Sequence, residues 1–209
     1  MTPDLSFETK AREAGYSFIA GVDEVGRGPL AGPVTAAAVI LDMTNIPEGL
    51  NDSKKLTAKR REVLFDQIMG TAQVSVAHAS VAEIDEINIL QASHLAMVRA
   101  VAGLPIAPDY VLIDGNRMPK TLTIPAECVI KGDAKSLSIA AASVIAKVTR
   151  DRIMSDLARE FPGYGWETNA GYGSKKHMEA LSTLGVTPHH RVSFKPVHNI
   201  LYQENSLTD

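Results

Sequence analysis

The chain has 209 residues, of which 45% are hydrophobic and 22% are charged, a composition that excludes disordered and fibrous proteins. This length suits one well-buried domain and is short for two. With 21 Lys and Arg against 24 Asp and Glu, the formal charge of −3 excludes a protein that coats nucleic acid or anionic membrane by bulk positive charge, although a local basic patch remains open.

The first half of the chain predicts a short, exposed helical lead-in, three strands and two further helices. A turn rich in Gly and Pro separates the first two strands. Alternating polar and apolar residues indicate the third strand, and apolar residues at helical spacing indicate the second helix. The predicted elements are the lead-in at 3–15, strands at 17–25 and 34–42, a helix at 57–69 with Thr57 as its N-cap, a strand at 72–80 and a helix at 81–103.

The second half predicts strands at 108–114 and 123–130, a long helix at 137–161 and a short helix at 175–184. The first part of the long helix is rich in Ala and apolar on all sides, so it is expected to be buried. Early antiparallel strands, followed by strands that alternate with helices, predict an α/β fold with a mixed sheet flanked by helices. We expect a single domain, described as a lead-in at 1–16, a main body, a small C-terminal helical portion at 161–198 and a tail at 199–209.

The cysteine content and the hydropathy of the sequence bear on where in the cell the protein is located. The single cysteine, Cys128, excludes an internal disulfide framework and a thiolate zinc site. The N-terminal residues lack the apolar core of a signal peptide, and no run approaches the roughly 18 apolar residues of a membrane span. We therefore expect a cytoplasmic protein without a membrane partner.

Four acidic residues occupy positions where the pattern predicts buried structure. Asp23 and Glu24 follow the apolar run FIAGV, Asp114 ends the run YVLI, and Asp133 lies in KGDAKS before the long helix. Such carboxylates are costly unless they are paired or bound to a metal. Solvent-facing strand ends, and helix capping by Asp133, are the alternative interpretation. The functional interpretation is a cluster for Mg²⁺ or Mn²⁺, since two such ions can cut a phosphodiester.

Asp23 and Glu24 raise a geometric difficulty for that cluster. Neighbouring residues of a strand point to opposite faces of the sheet. The two carboxylates share a site only if the strand ends or bends at Glu24, and the glycines at positions 26 and 28 favour such a bend.

Five segments carry a resemblance to a known family. In order, they are GVDEVGRGPLAGPV, NDSKKLTAKRRE, YVLIDGN, KGDAKSLSIAAASVIAKVTRDR and GYGSKKH. Together they resemble bacterial ribonuclease HII, a family of type 2 ribonucleases H, from about residue 18 to residue 198.

The resemblance implies a ribonuclease H-like fold with a five-stranded sheet. It also implies an endonuclease that hydrolyses the RNA strand of RNA–DNA hybrids and incises duplex DNA at single embedded ribonucleotides, and hence a role in removing ribonucleotides from DNA. The implied reaction depends on Mg²⁺ or Mn²⁺, with two ions present when substrate is bound, and leaves 5′-phosphate and 3′-hydroxyl ends.

The family's metal-binding catalytic residues are carried over to four positions. They are the DE pair of the first strand, the Asp of the LIDG segment and the Asp of the KGDAKS segment. In this sequence those residues are Asp23, Glu24, Asp114 and Asp133.

Substrate recognition in the family involves a Gly-Arg-Gly loop that reads the ribose 2′-hydroxyl largely through backbone groups. Here the loop is Gly26, Arg27 and Gly28. A tyrosine that packs on the sugar beside the ribonucleotide junction corresponds to Tyr172. Ser174 stands where Thr is usual in the family, which keeps a hydroxyl. From the residues alone, an ordinary tight turn and an exposed loop aromatic are the alternatives.

Basic and hydroxyl side chains are candidates for phosphate contacts, which give affinity without sequence information. Lys54 and Lys55 precede the first long helix, and Lys147 and Arg150 are spaced to share one face of the longest helix. Ser143 is a further candidate donor. A solvated charged face is the alternative for the basic residues, and a satisfied core hydroxyl is the alternative for Ser143.

Histidines near the C-terminus suggest zinc, but neither thiolates nor the H-E-x-x-H spacing accompany them, so we exclude a zinc site. His177 is assigned only an orienting role for the Tyr172 loop. The expected partners are RNA–DNA hybrid and ribonucleotide-containing DNA, bound by a monomer, and a sliding clamp is left undecided. Two other functions remain: a hybrid nuclease without single-ribonucleotide activity, and an inactive nucleic-acid-binding module.

Overall fold

A five-stranded mixed sheet forms the centre of the computed structural model, which describes residues 2–203. The strand order is β3-β2-β1-β4-β5, with β2 antiparallel to both β1 and β3, and β4 parallel to both β1 and β5. The predicted mixed sheet is therefore confirmed. The strands are β1 Ile19–Val25, β2 Val34–Ile40, β3 Gln73–Ala79, β4 Tyr110–Asp114 and β5 Ala126–Val129.

The helices agree with the sequence patterns to within a few residues where those patterns are long. Thr57 caps α2 as predicted, accepting a hydrogen bond from the Arg60 N–H. Short 3₁₀ turns at Ser53–Lys55 and Gly132–Ala134 were not predicted. The helices are α1 Ser6–Glu13, α2 Ala58–Thr71, α3 Val81–Ala102, α4 Leu137–Glu160, α5 Trp166–Asn169, α6 Lys175–Leu184 and α7 Lys195–Gln203.

Two helical layers cover the two faces of the sheet. Because strand side chains alternate, Ala36 and Ala38 of β2 pack towards α3 while Ala37 and Val39 pack towards α2 and α4. The small residues allow both layers to approach closely. The Ala-rich start of α4 is buried as predicted.

Gly21 of β1 sets the distance between the sheet and α4. A Cβ at this position would collide with the main-chain carbonyl carbon of Ser138, in the first turn of α4. The absence of a side chain therefore lets the N-terminus of α4 lie directly on β1. The turn that carries Asp133 is brought to the end of the sheet in the same way.

The predicted helical lead-in is α1, and most of its residues are exposed as expected, but one acidic side chain is buried. Glu8 of α1 is only 2% exposed, and its carboxylate accepts hydrogen bonds from the N–H of Ser138, at 3.0 Å, and from the hydroxyls of Ser136 and Ser138. An acidic group at a helix N-terminus is favourable. The segment is thus anchored to the start of α4.

The helix predicted at 81–103 is interrupted. Asn88 has φ 68° and ψ 161°, which is not helical, and its Oδ1 accepts from the N–H groups of Leu90 and Gln91. The side chain thus restarts the helix in the manner of an N-cap.

A smaller core lies beneath the C-terminal helices, where Trp166, Leu181 and Val197 surround Met154 of α4. The last helix, α7, continues to Gln203, past the point where the sequence predicted the tail to begin, and residues 204–209 of that tail lie outside the described residues. Among the helices of residues 2–203, none is long and apolar enough to cross a membrane.

Candidate active site

Two of the predicted carboxylates lie side by side at the end of neighbouring parallel strands. In the pairing of β1 with β4, Val22 is opposite Ile113, so Asp23 and Asp114 follow one position further along. Both belong to the set of alternate residues that faces α4, since Gly21 contacts that helix. The sheet itself therefore places the two carboxyl groups on one face of its edge.

Asp133 joins them from the 3₁₀ turn that precedes α4. The N–H of Gly132 donates to Asp114 Oδ1 at 2.6 Å, which links this turn to the end of β4. Asp133 is 8% exposed and does not cap α4, because Ser136 does so through the Ile139 N–H. The capping alternative is thus not what the structure shows.

Glu24 reaches the site from the other face of the sheet. The strand β1 continues one residue further, to Val25, so it does not end at Glu24. The side chain instead lies with Asp114 in a cavity on the α3 side of the edge. Its Oε1 accepts from Arg27 at 3.2 Å, whereas its Oε2 is buried without a hydrogen-bond partner.

Burial and mutual repulsion dominate the electrostatics of this cluster. Burial, followed by the charges of Glu24, Asp114 and Asp133, raises the pKa of Asp23 well above its ordinary value. Burial also raises the pKa of Glu24, although Arg27 opposes this, and burial with the charge of Asp114 raises the pKa of Asp133. When they are ionised, these buried carboxylates repel one another, and a bound cation would reduce that repulsion.

Lys54 provides part of that positive charge. Burial by itself would lower the pKa of Lys54, but the charges of Asp23 and Asp133, together with those of Asp52 and Asp114, outweigh it, so the pKa is raised. Lys54 is accordingly held in its charged form beside the acidic cluster.

The donor set fits a hard divalent cation. All four groups offer carboxylate oxygens, which Mg²⁺ and Mn²⁺ prefer, and the unpartnered Oε2 of Glu24 is a free ligand. Within residues 2–203, no group of three or more His, Cys, Asp or Glu side chains is arranged so that it could hold a metal ion as it stands. This is consistent with carboxylates that repel one another and bond to nearby N–H groups, as Asp23 does with the Glu24 N–H.

The Gly-Arg-Gly loop follows β1 directly, and its glycines are required by close neighbours. Gly26 has φ 95°, and a Cβ there would collide with the side chain of Arg150. A Cβ on Gly28 would lie 3.1 Å from the ring of Tyr172. The loop and the tyrosine, predicted from separate motifs, are therefore in contact.

Arg150 occupies a different place from the one the sequence predicted for it. It is 1% exposed, and its guanidinium donates to the carbonyls of Pro33, Ala170 and Ala31 at 3.0, 2.9 and 3.0 Å. Burial lowers its pKa to about 10. Its donors are engaged in holding loops together, so it is corrected from a phosphate contact to a loop-positioning residue.

Arg191 has a similar role and was missed by the sequence analysis. Its side chain is fully buried and donates to the carbonyls of Gly26 at 2.5 Å, Arg27 at 3.0 Å and Gly32 at 2.8 Å. Burial, and then the charge of Arg150, lower its pKa to about 9. No spacing signal in the sequence connects it to a loop more than 160 residues away.

The remaining phosphate candidates divide between the site and the surface. Ser53, Lys54, Ser143 and Lys147 line a cavity with Asp23. Within it the Ser143 hydroxyl donates to Ser53 at 2.8 Å, and Lys147 is paired with Asp151 at 2.6 Å.

Two predicted contacts are more accessible. Lys55 is exposed, outside the residues that line this cavity. Tyr172 is 52% exposed and lines the same cavity, so its ring is accessible at the surface.

Comparisons with known proteins agree with the family resemblance seen in the sequence motifs. Residues 20–197 match the family model described as Ribonuclease HII. A Ribonuclease HII of Ruegeria sp. (strain TM1040) is 70% identical over 97% of this chain and 88% of its own length. A Ribonuclease HII of Cereibacter sphaeroides is 66% identical over 99% of this chain and 97% of its own length. The crystal structure of ribonuclease H2 from Pyrococcus horikoshii OT3 has a TM-score of 0.75 at 30% identity, covering 92% of this chain and all of that one.

Proposed function

The chain belongs to the ribonuclease HII family and is a metal-dependent ribonuclease H that acts on RNA–DNA hybrids, and on that premise we propose that it also incises duplex DNA at single embedded ribonucleotides. The products are 5′-phosphate and 3′-hydroxyl ends, and the cellular role is removal of ribonucleotides from DNA. The enzyme acts as a monomer in the cytoplasm.

One observation carries the proposal: two of the four carboxylates, Asp23 and Glu24, and the Gly-Arg-Gly loop are parts of one continuous segment. Only Val25 separates Glu24 from Gly26, and the ring of Tyr172 packs on Gly28. A sugar held against this loop and the exposed edge of the ring would place the neighbouring phosphate beside Asp23 and Glu24. Recognition of a single ribose is thereby coupled to cleavage next to it.

The carboxylates hold the metal. Bound Mg²⁺ or Mn²⁺, as two ions with substrate present, supplies an activated water and stabilises the leaving oxygen. Asp23, on which the charges of the other three acids act, would hold the metal together with Glu24, Asp114 and Asp133. Lys54 balances charge at the cluster and contacts phosphate.

The glycines allow backbone recognition of the 2′-hydroxyl, which distinguishes RNA from DNA because it both donates and accepts hydrogen bonds. Without Cβ atoms, the main chain at Gly26 and Gly28 can approach the sugar closely. Arg27 is half-exposed and paired with Glu24, so it can reach the phosphate beside that ribose. Tyr172 packs on the adjacent sugar without reading sequence.

Positively charged and hydroxyl side chains position the duplex. Lys54, Lys147 and Ser143 face the cavity at Asp23 and contact the phosphates nearest the cut. Lys55 binds further along the backbone. These contacts carry affinity but no base specificity.

The experiment compares two substrates, a duplex with one embedded ribonucleotide and a long RNA–DNA hybrid, with wild type and Asp23→Asn. We expect metal-dependent cutting of both by wild type, and loss of cutting with retained binding in the variant. Asp156→Asn is the matched control, because Asp156 pairs with Arg159 on the surface of α4, and it should cut normally. Near-normal turnover by Asp23→Asn would contradict the assignment of the active site.

The same experiment separates the other functions. Cutting of the long hybrid alone would indicate a hybrid nuclease that does not read single ribonucleotides. Absence of cutting by wild type in both Mg²⁺ and Mn²⁺, with binding intact, would indicate an inactive binding module.

A further inference from the structure

A continuous chain of buried hydrogen bonds ends on the backbone of Tyr172. The Nδ1 of His177 lies 2.9 Å from the Tyr172 carbonyl oxygen, and its Nε2 lies 3.0 Å from the Nε2 of His190. The indole N–H of Trp166 also points at His177 Nε2, at 3.1 Å. At the far end, the N–H of Thr187 donates to His190 Nδ1 at 3.0 Å.

Two groups that can only donate, the indole N–H of Trp166 and the backbone N–H of Thr187, fix the direction of the bond between the two rings. The Trp166 indole is a donor without an acceptor site, so His177 Nε2 must accept, and the ring proton of neutral His177 is on Nδ1. That proton is directed to the Tyr172 carbonyl, which can only accept. The backbone N–H of Thr187 likewise requires an unprotonated His190 Nδ1, so His190 carries its proton on Nε2 and donates it to His177.

Burial disfavours a second proton on either ring, although the Thr187 hydroxyl lies 2.9 Å from His190 Nδ1 and is able to accept one there. His177 is fully buried and His190 is 1% exposed. A proton added to His177 Nε2 would face the indole N–H of Trp166, and one added to His190 Nδ1 would face the N–H of Thr187. The other titratable side chains packed against the pair are Tyr164 and His189.

The segment that carries Tyr172 also contacts the loop between β1 and β2, which begins with the Gly-Arg-Gly motif. Leu30 N–H donates to the Gly171 carbonyl at 2.8 Å, and the Tyr172 ring packs on Gly28. His190 lies beside this contact, since it forms an isolated bridge with Ala31. The histidine chain therefore fixes Tyr172 relative to the loop.

We propose that His190 and His177 are positioning residues for Tyr172, with His190 protonated on Nε2 and His177 protonated on Nδ1. His190 orients the ring of His177, and His177 holds the Tyr172 carbonyl so that the phenol ring stays over Gly28. The inference rests on the substrate role proposed for Tyr172. It assigns His177 a defined tautomer and gives His190 a role that its position in the sequence does not suggest.

The first test is the ¹⁵N NMR spectrum of the imidazole nitrogens of the intact wild-type protein at pH 7. His177 should show a protonated Nδ1 and a bare Nε2, and His190 the reverse. The opposite tautomer of His190, or two protons on either ring, would overturn the assignment. This measurement does not depend on activity, so it remains decisive even if the substrate role of Tyr172 is wrong.

The second test uses two amides that mimic different imidazole nitrogens. In His177→Asn the amide can replace Nδ1 and donate to Tyr172, whereas in His177→Gln it replaces Nε2 and leaves that carbonyl without the donor. On a duplex with one ribonucleotide, we expect about a tenfold loss of kcat/KM for the Gln variant, mainly through KM, and recovery of most of it by the Asn variant.

Equal losses in the two variants, despite equal thermal stability, would contradict a positioning role. Tyr172→Ala distinguishes this failure from failure of the proposed function. If that variant binds and cuts as wild type does, Tyr172 has no substrate role. The NMR assignment of the two histidines then stands or falls by itself.

Discussion

Buried arginines at the Gly-Arg-Gly loop give a prediction at the scale of single residues. Arg191 donates to three loop carbonyls, and a lysine cannot reproduce that planar fork. We expect Arg191→Lys to fold with reduced stability and to lose about tenfold in kcat/KM on a single-ribonucleotide duplex, with a smaller loss on a long hybrid that offers many cleavage positions.

Steady-state kinetics on both substrates, together with thermal unfolding, check this expectation. Arg159→Lys is the matched control, since Arg159 is an exposed partner of Asp156 and should match wild type in every measurement. Reduced stability with an unchanged ratio between the two substrates would mean that Arg191 supports the fold but not the reading of ribose.

The two arginines also show how far single residues could be predicted. Motif resemblance pointed to Arg150, and its helical spacing suggested a phosphate contact, but the spacing does not show whether a face is covered by another part of the chain. Arg191 and His190 gave no signal at all. Their roles depend on contacts with the β1–β2 loop, far away in sequence.

The contact between β1 and α4 gives a prediction at the scale of elements. A Cβ on Gly21 would meet backbone atoms of Ser138, and backbone cannot move aside without shifting α4. We expect Gly21→Ala to lower the free energy of unfolding by about 2 kcal/mol or more and to reduce activity, because Asp133 precedes the same helix.

Gly70→Ala serves as the control in chemical denaturation. Gly70 lies in α2 with no heavy atom within 4 Å of a built Cβ, so the substitution should be neutral or raise stability by up to about 1 kcal/mol. Similar stability in the two variants would contradict the role given to Gly21.

Elements with long, regular patterns were the predictable part of this fold. Within residues 2–203, all five strands and the four longest helices, α2, α3, α4 and α6, follow from apolar runs, hydrophobic periodicity and cap residues. The break at Asn88 and the 3₁₀ turn at Gly132–Ala134 depend on side-chain capping and on the bond from Gly132 to Asp114. Such short features have no period of their own, although the second one forms part of the site.

Charge in the acidic cluster gives a prediction for the stability of the whole molecule. Because the folded-state pKa of Asp23 is raised, ionisation of this group costs stability as the pH rises through that pKa. In EDTA at pH 8, Asp23→Asn should therefore be more stable than wild type. Adding Mg²⁺ or Mn²⁺ should stabilise wild type, by about 2.7 kcal/mol at one hundred times the dissociation constant, and the variant much less.

Thermal unfolding with and without EDTA measures both effects. The shift caused by metal should decrease as the pH is lowered, since protonated carboxylates do not bind it. An equal shift in wild type and Asp23→Asn would place the metal elsewhere. Asp156→Asn should respond to metal as wild type does.

The buried histidine pair is expected to lower the stability of the fold at acidic pH. Burial, and then the charge of His177, lower the pKa of His190 from 6.5 to about 4, and burial lowers that of His177. A depressed histidine pKa means that the unfolded chain binds more protons, so this contribution is fully present above about pH 6.5 and is lost as the pH falls towards 4. The His190 contribution is up to about 3 kcal/mol.

Denaturation curves between pH 7 and pH 4 test this for wild type and His190→Asn. The asparagine oxygen can still accept from Thr187 but does not titrate, so the stability of the variant should fall less steeply as the pH is lowered. His198→Asn is the control, because His198 stacks on Tyr202 of α7 and should leave the slope unchanged. If wild type and His190→Asn lose stability in parallel, the loss of stability at acidic pH arises elsewhere. If only His190→Asn has the shallower slope, the pair that holds Tyr172 is also where acid first destabilises the fold.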